Sequence, residues 1–249
     1  MQITKSIICI RPSRGCLTYT LQTDSGIIVI DTGSNDKDAE AIAGFVEKKL
    51  HCSANSIHYI FLTHWHGDHA GGASRLRQLS GARVLCHQDD ASVLSGINEV
   101  DTYMGVRMPE QGYGLINKTL SVLGYRFLKA DTSPVVPDDV FDESPAQFDA
   151  EWQMIHLPGH TPGSSGLWSP VQKILFSGDV VLCMGKKIVP PISMLVNNYS
   201  SLRSSWEKVN GLGEIKWILP GHFNTQLVEK RINVSQWLLR KTAIYEGGS

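Results

Sequence analysis

Five short apolar runs, each of strand length and rich in β-branched residues, lead into turns marked by Gly or Pro that carry an Asp or a His. They are Ile27-Ile28-Val29-Ile30 into Asp31-Thr32-Gly33, Tyr59-Ile60-Phe61-Leu62 into Thr63-His64, and Met154-Ile155-His156-Leu157 into Pro158-Gly159-His160. Ile174-Leu175-Phe176 into Ser177-Gly178-Asp179 and Trp217-Ile218-Leu219 into Pro220-Gly221-His222 complete the set. Strands laid side by side would bring these polar ends to one rim. Helical spacing alternates with the strands. Residues 36–50 place Ile42, Phe45, Val46 and Leu50 on one face behind Asp36 as N-cap, and Leu202, Trp206 and Val209 repeat the pattern after Ser200-Ser201. Gln226 to Tyr245 reads as a third helix, and the amino-terminal part as a strand meander over about 3–10, 17–22 and 27–30. Strands with helices to cover them predict a layered α/β protein rather than a bundle or barrel.

A chain of 249 residues buries roughly three quarters of the surface its unfolded form exposes, so one domain spanning 1–249 is expected. Lys plus Arg number 23 against 24 Asp plus Glu, a net charge of −1, with both signs scattered. A nucleic-acid binder needs a concentrated basic face, so that partner is excluded. The stretch Ile7-Ile8-Cys9-Ile10 is too short for a secretory core or a membrane span. Five cysteines, an odd number without C-x-x-C spacing, read as reduced and mostly buried thiols. A cytoplasmic protein without a membrane partner follows as the expectation. Its partners are a small-molecule substrate and, at most, a second copy in a homodimer.

His64-Trp65-His66-Gly67-Asp68-His69 concentrates three of the nine histidines and a carboxylate in six residues. Packing does not explain such a cluster. In a loop leaving a strand these side chains can fan around one point, and imidazole with carboxylate suits Zn²⁺, or Fe or Mn. His160, Asp179 and His222 at three other strand ends raise the donors to seven: His64, His66, Asp68, His69, His160, Asp179 and His222. Seven exceeds one tetrahedral ion, so two divalent metal ions sharing a ligand is the economical reading. Taken singly, His160, His222 and Asp179 would be turn or capping residues; their common place at strand ends lifts them. His51, His58, His87 and His156 read as bystanders.

With Asp31-Thr32-Gly33, the run from Thr63 to Gly72, Pro158-Gly159-His160-Thr161-Pro162-Gly163, Ser177-Gly178-Asp179 and Pro220-Gly221-His222 in this order, the chain resembles the metallo-β-lactamase-fold hydrolase superfamily. The resemblance implies a four-layer αββα sandwich with the metals at one edge between the sheets. It implies one ion held by His64, His66 and His160, another by Asp68, His69 and His222, and Asp179 bridging them. Asp31 is then expected to orient the metal loop through hydrogen bonds without touching an ion.

Departures within the motifs narrow the branch. His66 stands where the flavo-diiron branch has glutamate, and Asp179 stands where true β-lactamases usually have cysteine or another residue. Val180 to Lys187 lacks the glycine-cysteine-glycine-arginine stretch of glutathione-linked members, and size and charge leave no room for a nuclease arm. The remaining group is single-domain hydrolases that include the lactonases. The implied activity is hydrolysis of an ester, lactone or thioester in a small, partly apolar substrate by a metal-bridging hydroxide. Asp68 is the catalytic residue that takes and returns a proton. Residues 97–133, with Tyr103, Met104, Met108, Tyr113 and Tyr125, are expected to form a helical flap, and residues 180–199 a second wall. The rival readings are a mononuclear iron persulfide dioxygenase using His64, His160 and Asp179, and a non-catalytic ligand-binding member of the fold.

Overall fold

Runs of mostly buried positions organise the first thirty residues of the computed structural model into three strands: β1 (Ile7–Ile10), β2 (Thr18–Thr23) and β3 (Gly26–Ile30). The structure describes residues 1–12, 15–97, 133–142, 144–185, 187–192 and 195–227. The chain gathers into two compact units, Met1–Val140 and Phe141–Ser249.

In the first unit β1, β2 and β3 pair antiparallel, as the meander predicts, although β1 begins only at Ile7. Ile3 and Thr4 instead donate their backbone N–H groups to the Ile7 carbonyl, closing a turn before the strand. β3 then pairs parallel with β4 (Ile57–Phe61), and β4 parallel with β5 (Arg83–His87). Parallel neighbours need crossovers, and helices provide them. Helix α1 (Asp36–Lys49) lies in the first crossover; α2 (Gly67–Ala70) and α3 (Ala73–Ser80) lie in the second. A further helix, α4 (Gln88–Leu94), follows β5 directly, and β6 (Asp139–Phe141) closes the sheet order β1-β2-β3-β4-β5-β6. Val29, Ile42, Val46, Ile60, Leu62, Leu76 and Val84 form one buried core between sheet and helices. The cap of α1 is Asn35 rather than Asp36: the Asn35 Oδ1 accepts from the Lys37 and Asp38 N–H groups at 3.0 and 3.3 Å. Asp36 sits in the first turn, where a negative charge complements the helix dipole.

The second unit carries β7 (Ala146–Gln147), β8 (Gln153–His156), β9 (Ser165–Ser169) and β10 (Ile174–Gly178), paired antiparallel in succession. A hairpin of β11 (Leu182–Met184) and β12 (Lys187–Val189) stands outside this sheet. Helix α5 (Tyr199–Gly211) then leads to β13 (Trp217–Pro220), parallel to β10. Leu202, Trp206 and Val209 of α5 are buried with Ile155, Leu175, Val181 and Ile218. The helix expected from Gln226 begins instead as strand: β14 (Gln226–Leu227) pairs antiparallel with β13. The edge of β13 offers ladder hydrogen bonds that apolar periodicity does not reveal. The rest of that expected helix lies outside the described residues, as do Lys186, Met194 and the expected flap apart from Ile97 and Ser133. No helix among the described residues is long and apolar enough to cross a membrane.

Candidate metal centre

The chain leaves β4 through Thr63 and turns at His66, which precedes α2, so alternate residues are not splayed as they would be along a helix. His64 and His69 are buried, while His66 and Asp68 are half-buried. His64 Nε2 stands 3.1 Å from His66 Nδ1, and His69 Nε2 stands 3.8 Å from Asp68 Oδ2. The rings of His64 and His69 lie 4.1 Å apart between centroids. The four donors of this segment therefore gather, as expected from the sequence.

What holds them is the end of β3. Asp31, 1% exposed, accepts from the Thr63 N–H at 2.8 Å and from the Thr63 hydroxyl at 2.8 and 3.1 Å. Its Oδ2 lies 2.8 Å from His69 Nδ1, which leaves His69 Nε2 facing Asp68. Thr63 Oγ1 likewise lies 3.1 Å from His64 Nδ1, and His64 Nε2 faces His66. Thr32 adds two donors, its N–H and its hydroxyl, to the His69 carbonyl at 2.7 and 2.8 Å. Such partners fix tautomer and ring orientation in metal-ligating histidines. Sequence reading singled out Asp31 but not Thr32 or Thr63, whose presence in the same two turns was the available signal. Gly71 and Gly72 allow the close approach: a Cβ there would meet Ser34 O at 2.3 Å and Thr32 O at 2.5 Å. Cys16 has its sulfur close to Asp31 and His69. Burial, then the charges of Asp31 and Asp68, push its thiol well above the usual range.

In the second unit two of the three expected donors converge on one atom of the third. His160 Nε2 is 3.6 Å and His222 Nε2 3.4 Å from the same oxygen, Asp179 Oδ2. Parallel pairing of β10 with β13 sets Asp179 and His222 side by side, and the Gly221 N–H donates to the Gly178 carbonyl at 2.8 Å. His160 is placed by α5. Gly159, at φ 136°, lies so close to that helix that a Cβ would stand 2.5 Å from the Leu202 backbone. Ser205 Oγ donates to the Pro158 carbonyl at 2.7 Å, and the Asn198 N–H to the Gly159 carbonyl at 2.9 Å. Trp206 Nε1 donates to the Val180 carbonyl at 2.9 Å, holding the residue after Asp179.

These separations suit an ion better than hydrogen bonds. Two donors bound at 2.0–2.1 Å to one tetrahedral ion stand about 3.3 Å apart. The observed 3.1, 3.4, 3.6 and 3.8 Å scatter around that value, and the last three exceed the normal N–H···O range. The other histidines have local surroundings of their own. His51 and His58 are exposed, His156 Nε2 lies 2.8 Å from the Pro162 carbonyl, and His87 Nδ1 accepts from the Asp89 N–H at 3.2 Å as the cap of α4.

Residues 11–222 match the family model of the metallo-beta-lactamase superfamily, and the chain belongs to that superfamily. It is 28% identical over 184 residues to the hydroxyacylglutathione hydrolase GloC of Haemophilus influenzae, a match covering 72% of this chain and 75% of GloC. It is 31% identical over 189 residues to the acyl-coenzyme A thioesterase MBLAC2 of Homo sapiens, covering 73% of this chain but only 62% of that protein. The chain thus spans less than two thirds of the thioesterase's length. Among solved structures, the BLEG-1 B3 metallo-beta-lactamase superposes with a TM-score of 0.66 at 20% identity, covering 89% of this chain and 93% of its own. TTHA1623 in a di-iron-bound form superposes with a TM-score of 0.61 at 20% identity, covering 88% and 93%. The fold is that of the metallo-β-lactamases.

Proposed function

We propose that the chain acts as one domain, a dinuclear metal-dependent hydrolase that cleaves a thioester, ester or lactone bond in a small substrate. Two observations, each within one unit, carry this reading: the convergence of His160 and His222 on one oxygen of Asp179, and the gathering of four donors in the 64–69 segment. His64, His66 and His160 would hold one ion, Asp68, His69 and His222 the other, and Asp179 would be shared. An imidazole and carboxylate set suits Zn²⁺ and also accepts Fe or Mn; a fold neighbour with two irons supports the count of two. Bound there, two divalent ions supply Lewis acidity toward a carbonyl oxygen and lower the pKa of water to about 7.

The chain's own residues do the rest. Asp31 keeps the proton of His69 on Nδ1 and so keeps Nε2 available. Asp68, half-buried, would accept a proton and return it to the leaving group. The thioester is favoured within this class because two similar proteins, GloC and MBLAC2, are named for the hydrolysis of hydroxyacylglutathione and of acyl-coenzyme A.

Elemental analysis of the purified chain, followed by assays on acyl-coenzyme A, acylglutathione, aryl esters and lactones, tests the reading. Two metal equivalents and thioester turnover are expected. His66→Ala or Asp179→Ala should abolish turnover while circular dichroism stays unchanged. One iron per chain with oxygen uptake would replace this reading by the persulfide dioxygenase.

A further inference from the structure

The loop that carries the donors leaves β4, the strand with β3 on one side and β5 on the other. From the β3 side, Asp31 takes the Thr63 N–H and orients His69. From the β5 side, a second carboxylate reaches the same loop: Asp90, in the first turn of α4, accepts from the Trp65 N–H with Oδ2 at 3.1 Å. Asp90 is 1% exposed, as deeply buried as Asp31. A carboxylate is costly to bury, and this one grips the residue between His64 and His66. The Trp65 ring meets the His66 ring edge-on, with centroids 4.5 Å apart, so the Trp65 backbone and the His66 imidazole are coupled through one side chain.

We infer that Asp90 is a positioning residue for the metal centre, setting the angle at which His64 and His66 present their nitrogens. The inference rests on the metal-centre reading proposed above. It assigns the two carboxylates different duties. Asp31 acts through its direct bond to His69, while Asp90 acts through the Trp65 backbone and so on the His64–His66 pair. The effect of losing Asp90 falls on one ion of the two. Partners of this kind are typically worth 10–100-fold in metal affinity.

The test compares the wild-type chain with Asp90→Leu and Asp90→Asn, each stripped of metal and titrated with Zn²⁺ against a chromophoric chelator, then with Co²⁺ while its visible absorption is read. Asp90→Leu should weaken one of the two equivalents 10–100-fold, alter the Co²⁺ spectrum of that equivalent and leave the other unchanged. Asp90→Asn keeps an oxygen acceptor for the Trp65 N–H and should restore most of the loss. Wild-type affinity at both sites in Asp90→Leu would overturn the inference. So would equal loss at both sites in both variants together with a lowered melting temperature of the metal-free chain, the mark of a merely structural role. A wild-type chain that takes up no second equivalent would overturn the centre itself, and this inference with it.

Discussion

Asp31 and Asp68 show how one residue type divides its duties by surroundings. Asp31 is buried and saturated by Thr63 and His69, which suits a group that holds others in place; Asp68 is half-buried beside His69 Nε2, which suits a ligand and proton carrier. Asp31→Ala should lower metal affinity by about 10–100-fold in a chelator competition assay, because His69 loses the partner that fixes its tautomer. Asp68→Asn should lower kcat by about 10²–10⁴-fold in thioester hydrolysis. The thiols behave as the sequence suggested: all five are free, and four are buried. Burial pushes the Cys86 and Cys183 thiols up to about 12 from an ordinary 9.0, with Asp90 adding to the effect at Cys86. The folded chain therefore keeps two protons that the unfolded chain releases above pH 9, and stability falls as pH rises from 9 toward 12. Urea unfolding at pH 8 and at pH 10 should show a lower midpoint at the higher pH. Half-buried Cys52 should be the first thiol to react with an aromatic disulfide reagent in the native state.

At the scale of elements, the turns matter more than the strands they end. Gly159 combines φ 136° with a contact that forbids a Cβ beside Leu202. Gly159→Ala should destabilise the chain by about 2 kcal/mol or more in urea unfolding, since both the backbone conformation and the packing of α5 must change. Helix α1 teaches a smaller lesson. The spacing of Ile42, Phe45 and Val46 places the helix correctly, but the expected cap, Asp36, lies one residue inside it. Backbone geometry decided for Asn35, which is extended at φ −166° and so can fold its side chain back onto the first turn. Removing that acceptor in Asn35→Ala should cost about 1 kcal/mol. Gln226–Leu227 went the other way: a segment with helical periodicity pairs as strand with Trp217 and Ile218, because tertiary neighbours override a weak local preference.

For the molecule as a whole, metal and stability are linked. Ions that bind the folded chain alone stabilise it by about 2.7 kcal/mol at a hundred times their dissociation constant. Chelation should therefore lower the melting temperature, restoration of Zn²⁺ should raise it, and His222→Ala should shrink the difference. Much of this was legible from local chemistry. Donor type, the crowding of His64 to His69, and the placement of Asp31, His160, Asp179 and His222 just beyond apolar runs are properties of short stretches, and short stretches determine strand and turn. The sequence by itself thus determined which imidazoles and carboxylates stand just beyond the strands. Only the tertiary structure decided what grips those ends. Asp90 meets Trp65 because β5 lies beside β4, Gly221 meets Gly178 because β13 lies beside β10, and Trp206 meets Val180 because α5 packs on that sheet. Each of these contacts joins residues that are far apart in the chain. Strand order settles them through the burial of two apolar cores, which no local pattern encodes.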